Sequence, residues 1–383
     1  MIRPLTIGIE AQRLFQPHKQ GAERTALAWL QRLPALAPQH RFVAFVRPGA
    51  DRCLAPAANL DVREIGAWSG ATWEQRALPA AAVREGVDLL HCTGGTAPLR
   101  SPVPFVLTLS SADRGKGGYR RRVLPAAVRR AACVTTGSAF EASRIAARFP
   151  AAAGTLKVVA AAAGDGFGPF TRSDRAGSVR ARYRLPQRFA LLDGGAVGEP
   201  GLAVALKGYV LYARRVARPL PLVVADLAPA RLLALLCEIG AGDGAHRVLP
   251  AGPIAYADRP AVYSASEAFL YTPHASADGG QPFLDAMACR VPVIASSDGA
   301  LPELSGGAAR LVEPRDANSV AEALREVLGS PPYAWVLRER GLRRAEALSW
   351  DRAARQLLTV YERALGRHVQ PVPSTASPLR LVA

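Results

Sequence analysis

The stretch Tyr271–Ser296 (YTPHASADGGQPFLDAMACRVPVIAS) combines acidic residues with glycines in a pattern that could bind an anionic ligand. An apolar strand end precedes the glycines, and a short helix and a second apolar run follow them. In α/β proteins this order presents the amides of a helix N-terminus, here those of Gly280 and Gln281, to a phosphate. Asp285 lies about one turn inside the helix and Asp278 precedes it, so both are candidates for contacting sugar or ribose hydroxyls. The alternative is an acidic residue that only responds to the positive end of the helix dipole.

A second glycine-rich segment, Gly194–Gly201 (GGAVGEPG), follows an apolar strand and precedes a helix. Glycines such as Gly194, Gly195 and Gly198 let backbone amides approach a diphosphate. The spacing is not G-x-G-x-x-G, so it indicates a dinucleotide only weakly. Asp226, at the end of the next strand, could hydrogen-bond a ribose, so a nicotinamide cofactor remains an alternative ligand for this segment. A tight turn that needs glycine for geometry alone is the other alternative.

Two loops in the first half of the chain could contact a second substrate. The segment Leu107–Gly117 (LTLSSADRGKG) follows a strand and contains Ser110 and Arg114, suited to a hydroxyl and an anion respectively. Near the N-terminus, Gly21 precedes a helix and Arg24 falls in its first turn, where a cation is unfavourable unless something anionic binds nearby. A solvated loop without function is the alternative in each case.

These loops require two sets of alternating strands and helices to position them. The first half reads as strands in LTIGIEA, RFVAFVR, VDLLHC, PFVLTL and CVTT, and ends in a glycine-rich linker that opens with LKVV. The second half reads as strands in RFALLD, LPLVVAD, HRVLPAG, EAFLY, VPVIAS and ARLVEP. Strands separated by helices of this length predict right-handed crossovers and parallel sheets. We therefore predict two doubly wound α/β domains, residues 1–175 and 186–350, joined by a linker near 170–188. Residues 351–383 are expected to form a helix that returns to the first domain, followed by a tail.

Composition bounds the class of protein. The chain has 383 residues, 49% hydrophobic and 21% charged, and its net charge is +17. The charge favours anionic partners, although a genome rich in arginine codons would give the same excess. The five cysteines form no CxxC pair and the six histidines show no metal-ligand spacing, which favours free thiols in a reducing compartment and no metal. The opening residues resemble a strand and no apolar run is long enough to span a bilayer, so we expect a cytoplasmic protein.

The segment Tyr119–Arg130 (YRRRVLPAAVRR) predicts a helix with one apolar and one cationic face. Such a helix could lie on the inner, anionic face of a membrane or meet a lipid-linked phosphate. A solvated outer helix is the alternative. Nucleic acid is not expected as a partner, since the basic residues are not interleaved with aromatics in a recognisable module.

The segment from Ala268 to Leu328, with LDAMACRVPVIASSDGALPEL at its centre, resembles the donor-binding segment of family 4 glycosyltransferases. The closing LSWDRAARQLLTVYERAL and the first-half motifs IGIEAQRLF, VDLLHCTGGTAPL and CVTTGSAFEASRIAARF fit the same family in order. The resemblance implies the GT-B fold and retaining, metal-independent transfer of a sugar from a nucleoside diphosphate sugar. No further cofactor is implied.

Carried over by position, the resemblance assigns the donor-binding roles to Gly194, Gly195, Gly198, Lys207, Gly279, Gly280, Gln281, Pro282 and Glu303, and the catalytic roles to Asp278, Asp285 and Ser110. The second glutamate of the family's E-x7-E pair falls on Asp285, and the first falls on Ala277 or, with one deletion, on Asp278. The family's basic pair that neutralises the donor diphosphate falls on Glu199 and Pro200, and its first-domain histidine falls on Ser110. Gly21, Arg24 and Arg114 are then expected on the acceptor side.

Two functions remain open from the sequence. One is a glycosyltransferase that acts on a saccharide, lipid-linked or small-molecule acceptor. The other is a catalytically impaired GT-B protein that binds a sugar nucleotide or a partner protein, because preorganised cations for the leaving diphosphate are missing.

Overall fold

The computed structural model describes residues 3–16, 19, 21–109, 118–169, 174–274 and 280–366. Ser110, Arg114, Asp278 and Gly279 lie outside the described residues, so the roles predicted for these four stay predictions.

The first sheet consists of seven parallel strands. They are β1 (Thr6–Glu10), β2 (Arg41–Val46), β3 (Leu60–Glu64), β4 (Leu89–Cys92), β5 (Phe105–Thr108), β6 (Cys133–Thr136) and β7 (Leu156–Val158). Their order in the sheet is β3-β2-β1-β4-β5-β6-β7. In the central register, Ile7 of β1 lies opposite Phe42 on one side and Leu89 on the other. The order turns back at β1 and β4, and this is where a doubly wound sheet opens a crevice for ligands.

The second sheet consists of six parallel strands. They are β8 (Ala190–Asp193), β9 (Leu222–Ala225), β10 (Val248–Gly252), β11 (Ala268–Tyr271), β12 (Val293–Ser296) and β13 (Arg310–Val312). Their order is β10-β9-β8-β11-β12-β13, so the switch point lies between β8 and β11. All six were predicted from short apolar runs. β8, β9, β11 and β12 are fully buried, whereas β10 and β13, at the two edges, are partly exposed.

The sequence pattern does not predict two strands, β7, whose residues were read as the start of the linker, and β3. Strand β3 shows the physical reason. Its residues LDVRE alternate with charged side chains, and none of them is fully buried. The strand lies at the edge of the sheet and pairs only with β2. Charged, half-exposed edge strands protect a sheet from pairing with another chain, and the same feature removes the apolar run that would reveal them.

Helices cover both faces of each sheet. The first domain contains α1 (Gly21–Leu36), α2 (Gly70–Thr72), α3 (Leu78–Arg84), α4 (Gly118–Arg130) and α5 (Ala139–Arg148). The second contains α6 (Asp174–Arg182), α7 (Gly194–Arg215), α8 (Pro229–Glu238), α9 (Arg259–Ser264), α10 (Gln281–Ala288), α11 (Leu301–Ser305), α12 (Ala317–Gly329) and α13 (Pro331–Ala347), and α14 (Trp350–Ala364) closes the chain.

The last helix, α14, packs on the first domain, as predicted. Leu357 and Tyr361 are buried in one apolar cluster with Trp29 and Leu33 of α1. The indole Nε1 of Trp350 donates a 2.7 Å hydrogen bond to the carbonyl of Ala163. This helix is strongly amphipathic, and its apolar stripe has no other sheet or helix to cover it.

The chain crosses between the two domains near Gly164. Val159 and Ala162 belong to the core of the first domain, whereas Phe167 packs against the core of the second. The stretch 170–188, expected as a linker, contains α6, and Val179 of that helix is buried in the second core. The linker is therefore partly a helix of the second domain, which its polar composition conceals.

Helix α7 is interrupted near its start. A first turn follows β8 at Gly194, and Gly198, with φ 68° and ψ 162°, separates it from the long helical part that the sequence predicts from about Leu202. Gly201 packs so closely against the residues that follow β11 that an added Cβ would lie 2.0 Å from the carbonyl oxygen of Thr272. These glycines therefore form a tight turn pressed against the sheet, which is one of the two alternatives that the sequence leaves open.

Candidate functional site

A cavity of about 560 Å³ opens at the carboxyl edge of the first sheet. Residues that end or follow four strands line it, among them Glu10 of β1, Thr93 after β4, Thr108 of β5 and Thr136 of β6. The second domain contributes Gln281, the first residue of α10. The cavity thus lies where doubly wound folds bind their ligands, and it is comparable in size to small-molecule pockets in general.

Glu10 forms the floor of this cavity through backbone contacts. Its carboxylate accepts hydrogen bonds from the amides of Gln12 (3.0 Å), Thr93 (3.0 Å) and Gly94 (2.7 Å). Burial raises the pKa of Glu10, while these amides act in the opposite direction. The carboxylate ties the loop after β1 to the loop after β4 and so fixes the cavity wall.

A second carboxylate, Glu74, organises the opposite wall. It accepts hydrogen bonds from the hydroxyl of Tyr119 (2.7 Å), the side-chain amide Nε2 of Gln75 (2.8 Å) and the hydroxyl of Thr96. Burial raises the pKa of Tyr119, and the neighbouring Glu74 raises it further. The tyrosine at the start of α4 is therefore a neutral hydroxyl that lines the cavity.

A buried chain of hydrogen bonds connects α14 to the cavity. The hydroxyl of Tyr361 lies 2.8 Å from Nδ1 of His91, and Nε2 of His91 lies 2.7 Å from Oγ1 of Thr108. The hydroxyl of Thr108 lies 2.7 Å from that of Thr135, and both threonines line the cavity. Burial lowers the pKa of His91 to about 3, so the imidazole is neutral. Sequence reasoning did not select His91, because a histidine inside an apolar strand resembles a core residue.

In the second domain, Arg259 occupies the carboxyl edge of the sheet. Its guanidinium lies 3.0 Å from Asp193 at the end of β8 and 2.7 Å from Asp226 after β9. The Nε of Arg259 is buried and has no hydrogen-bond partner among the described residues. Sequence reasoning missed this cation because Arg259 opens a helix far along the chain, and only the sheet brings it beside Asp193. Asp226, considered above as a ribose ligand, also accepts from the amide of Ile254 (3.0 Å) and is therefore already engaged.

The predicted donor turn lies beside this arginine. Gly194 and Gly195 form the first turn of α7, and an added Cβ on Gly195 would lie 3.1 Å from the Cβ of Asp226. Asp193 caps the helix by accepting from the amide of Ala196 (3.2 Å). One of the amides expected to face a diphosphate is thus satisfied within the chain. Lys207 is exposed further along the same helix.

Glu199, which stands where the family has one residue of its basic pair, is exposed and pairs with Arg231 of α8 at 2.7 Å. It follows the kink at Gly198. Arg231 therefore offsets the negative charge that Glu199 brings to this helix.

The helix α10 brings three predicted donor residues together. Gly280 precedes the helix in the left-handed region (φ 72°), where a non-glycine residue would be strained, and its Cβ would lie 2.7 Å from Leu304. Gln281 and Pro282 follow in the first turn, and both are buried. Of these, Gln281 reaches the cavity.

Asp285 lies at the crossing between the domains. Its Oδ1 accepts a 2.7 Å hydrogen bond from the amide of Gly164, and only 2% of the residue is exposed. Burial raises the pKa of Asp285 to about 7. One of its two oxygens is thus held by the inter-domain segment, and the role predicted for it as a ligand of sugar or ribose hydroxyls stays a prediction.

Glu303 also contacts the first domain. Its two carboxylate oxygens accept hydrogen bonds from the amides of Ala139 (2.8 Å) and Phe140 (2.9 Å), in the first turn of α5. A carboxylate is favourable there because the helix N-terminus is positive. The predicted donor ligand therefore spans the two domains in this structure.

Of the predicted acceptor-side residues that the structure describes, one lines the cavity. Gly21 lies in its wall at the start of α1. Arg24 lies over the ring of Tyr256 in the second domain, 4.7 Å from its centroid. The π face of Tyr256 is therefore the electronegative partner of Arg24, a role that the sequence analysis gave to an anionic ligand.

Within the part of the chain that the structure describes, no group of three or more His, Cys, Asp or Glu side chains is arranged to hold a metal ion. In the same residues no helix is both long and apolar enough to cross a membrane.

Two doubly wound parallel sheets, a crossing near Gly164 and a last helix that returns to the first domain define a protein of the GT-B class. Solved structures share this fold along nearly the whole chain. Sucrose-phosphate synthase from Thermosynechococcus elongatus has a TM-score of 0.68 at 20% identity, covering 94% of this chain and 99% of that one. Anabaena Alr3699/HepE in complex with UDP and glucose has a TM-score of 0.71 at 16% identity, with the same coverage. The predicted fold class is confirmed.

Residues 221–330 match the family model of glycosyl transferases group 1. The O-antigen chain mannosyltransferase B of Escherichia coli is 28% identical over 187 residues, 48% of each chain. A D-inositol 3-phosphate glycosyltransferase of Salinispora tropica is 32% identical over 145 residues, 37% of this chain and 29% of that protein. The chain thus spans less than half the length of these curated relatives. The resemblance to group 1 glycosyltransferases is confirmed, and the assignment to family 4 within that group stays a prediction.

Proposed function

We propose that this protein transfers a sugar from a nucleoside diphosphate sugar to a saccharide acceptor, with retention of configuration and without a metal. The observation that carries the proposal is the cavity at the carboxyl edge of the first sheet, which Gln281 of the second domain closes. A group-transfer enzyme needs a donor site and an acceptor site that face each other, and this cavity meets the donor-side helix α10.

The donor would bind the second domain. The amides of the first turn of α7 and the guanidinium of Arg259 are the groups available to a diphosphate at that edge. The free Nε–H of Arg259 is the donor that Asp193 and Asp226 leave unused. Two of the relatives have names that specify mannosyl transfer, and the Anabaena protein was solved with UDP and glucose. These names support a nucleotide-sugar donor, and the choice of sugar is left to experiment.

The acceptor would occupy the cavity of the first domain. Six threonines line it, namely Thr25, Thr93, Thr96, Thr108, Thr135 and Thr136, together with carboxylates that can bind hydroxyl groups. This lining suits a polyhydroxyl ligand better than an acyl chain. A hydrocarbon chain in the cavity would leave the polar atoms of the lining without hydrogen-bond partners, which is costly.

The test is a transfer assay with a panel of UDP-, GDP- and ADP-sugars and simple saccharide acceptors, following release of the nucleoside diphosphate. We expect release with one donor class, faster when an acceptor is present, and a product whose anomeric configuration by NMR equals that of the donor. Gln281→Ala should lower the rate at saturating donor by about tenfold or more, since an acceptor would be mispositioned.

The matched control is Gln187→Ala, which changes an exposed glutamine before β8. It should leave the rate unchanged. Absence of release with every donor, by folded protein, would refute the proposed activity.

A further inference from the structure

The cavity has the opposite charge to the chain as a whole. Its described lining includes four glutamates, Glu10, Glu23, Glu74 and Glu141, and two arginines, for a formal charge of −2, whereas the chain carries +17. Both arginines are engaged. The guanidinium of Arg13 lies 3.4 Å from Glu23, and that of Arg120 donates to the carbonyl of Gly94. The described lining therefore presents net negative charge to a ligand.

Most lining hydroxyls can only accept further hydrogen bonds. The hydroxyl of Thr25 donates to the carbonyl of Gly21 (2.9 Å), that of Thr93 to the carbonyl of Glu10 (2.6 Å), and that of Thr136 to Glu141 (3.0 Å). Their oxygens retain lone pairs, and the carboxylates add more. The lining is consequently rich in acceptors and needs a ligand that donates.

Two donors of the lining have no partner among the residues that the structure describes. The indole Nε1 of Trp29 and the side-chain amide Nε2 of Gln12 are buried and make no hydrogen bond to these residues, and Trp29 is only 2% exposed. Both residues line the cavity. Buried donors without partners are rare, so a ligand atom that accepts from them is expected.

We infer that this cavity binds an uncharged polyhydroxyl ring, the end of a neutral saccharide, and discriminates against phosphorylated or carboxylated sugars. A hydroxyl group both donates and accepts, so it satisfies the carboxylates and threonines as well as Trp29 and Gln12. A phosphate dianion can only accept, and it would be repelled by the glutamates. The inference rests on the proposed function for the role of this ring as acceptor. It sets the chain apart from the relative whose name specifies D-inositol 3-phosphate.

The test measures binding without any donor. The full chain is titrated by ligand-observed NMR with glucose and mannose, each compared with its 6-phosphate, and with glucosamine as the cationic member. One neutral ring should bind at least about tenfold more tightly than its phosphate, and Glu23→Gln should narrow that ratio by roughly threefold, since one charge is removed. Glu346→Gln, an exposed position of α13, is the control and should leave the ratio unchanged.

A second variant tests the unpartnered indole. Trp29→Phe keeps an aromatic ring and removes the N–H, so it should weaken binding of the neutral ring by about tenfold with little change in melting temperature. Trp68→Phe, at a fully exposed position, is the control. Equal or tighter binding of the phosphate, or no binding of either neutral ring, would overturn the inference. If neutral sugars bind but no donor is turned over, the inference holds and the proposed activity fails.

Discussion

At the scale of single residues, Asp285 shows how the fold places a residue that the sequence predicts in the donor site. The residue is buried at the point where the chain crosses between domains, and its carboxyl binds the amide of Gly164. The indole of Trp350, at the start of the helix α14 that returns to the first domain, donates to the carbonyl of Ala163, which directly precedes Gly164. Asp285 therefore binds the segment where the chain passes between the domains in both directions, whatever it contributes to donor binding.

The raised pKa of Asp285 predicts a pH dependence of stability. With a folded pKa of about 7 and an ordinary value of 3.8, the folded state binds the proton more tightly, so stability falls as pH rises from about 4 to 7. The full loss would be at most about 4 kcal/mol. Asp285→Asn mimics the neutral form, and its free energy of unfolding relative to wild type should therefore rise between pH 5 and pH 8.

The measurement is urea denaturation at a series of pH values. Asp165→Asn is the control, since this exposed residue lies next to Gly164 but pairs with Arg32 at the surface. A difference between wild type and Asp285→Asn that does not vary with pH would show that Asp285 is ionised throughout.

At the scale of elements, α4 is an outer helix with a cationic face. Val123, Leu124, Ala127 and Val128 are buried against the sheet, and Arg121, Arg122, Arg129 and Arg130 are exposed. The N-terminal end of the same helix supplies Tyr119 and Arg120 to the cavity. If the exposed arginines of α4 bind an anionic surface, the cavity at the N-terminal end of the helix lies close to that surface.

We predict that α4 binds vesicles containing anionic lipid. Each arginine near such a surface contributes about 1 kcal/mol, so replacing the four exposed arginines with glutamine should weaken binding by roughly a hundredfold or more. Binding of the wild type should also decrease with added salt. Co-sedimentation with vesicles that contain phosphatidylglycerol measures both effects.

A matched control removes the same charge from the second domain. Arg218, Arg325, Arg340 and Arg343 are all exposed there, and their replacement with glutamine should leave most of the binding intact. If both sets of substitutions weaken binding equally, the net charge of the chain and not α4 is responsible.

At the scale of the whole molecule, Glu303 connects the two domains. Its carboxylate accepts from two amides in the first turn of α5, across 163 and 164 residues of sequence. Hydrogen bonds to a charged group are worth about 1.5–3 kcal/mol each when buried, and less for a pair that is partly open to solvent. The two hydrogen bonds therefore stabilise the arrangement of the domains seen in this structure.

We predict that Glu303→Ala speeds hydrogen exchange at the amides of Ala139 and Phe140 by about tenfold, because they lose a charged acceptor. Glu313→Ala, an exposed change in the same domain, should not alter them. Unchanged exchange would mean that the contact does not form in solution. A loss of nucleotide affinity in the same variant would instead support the donor-binding role assigned from sequence.

The sequence by itself determined most of the architecture. Eleven strands were predicted from apolar runs, and all eleven are present in the structure. Where a parallel strand is buried on both faces it is continuously apolar, so the pattern is local and readable. Edge strands β3 and β7 and helix α6 were missed because charged or partly exposed residues occupy them.

The tertiary structure decided which charged and polar groups face one another. Arg259 meets Asp193, His91 meets Tyr361, and Glu303 meets Ala139 only because strands and helices distant in sequence end at common edges. Residue types and spacing indicate which loops bind a ligand, but the Coulomb and hydrogen-bond partners of a side chain depend on distances that only the folded chain sets. The negative charge of the described cavity lining, in a strongly basic chain, is therefore a property of the tertiary structure.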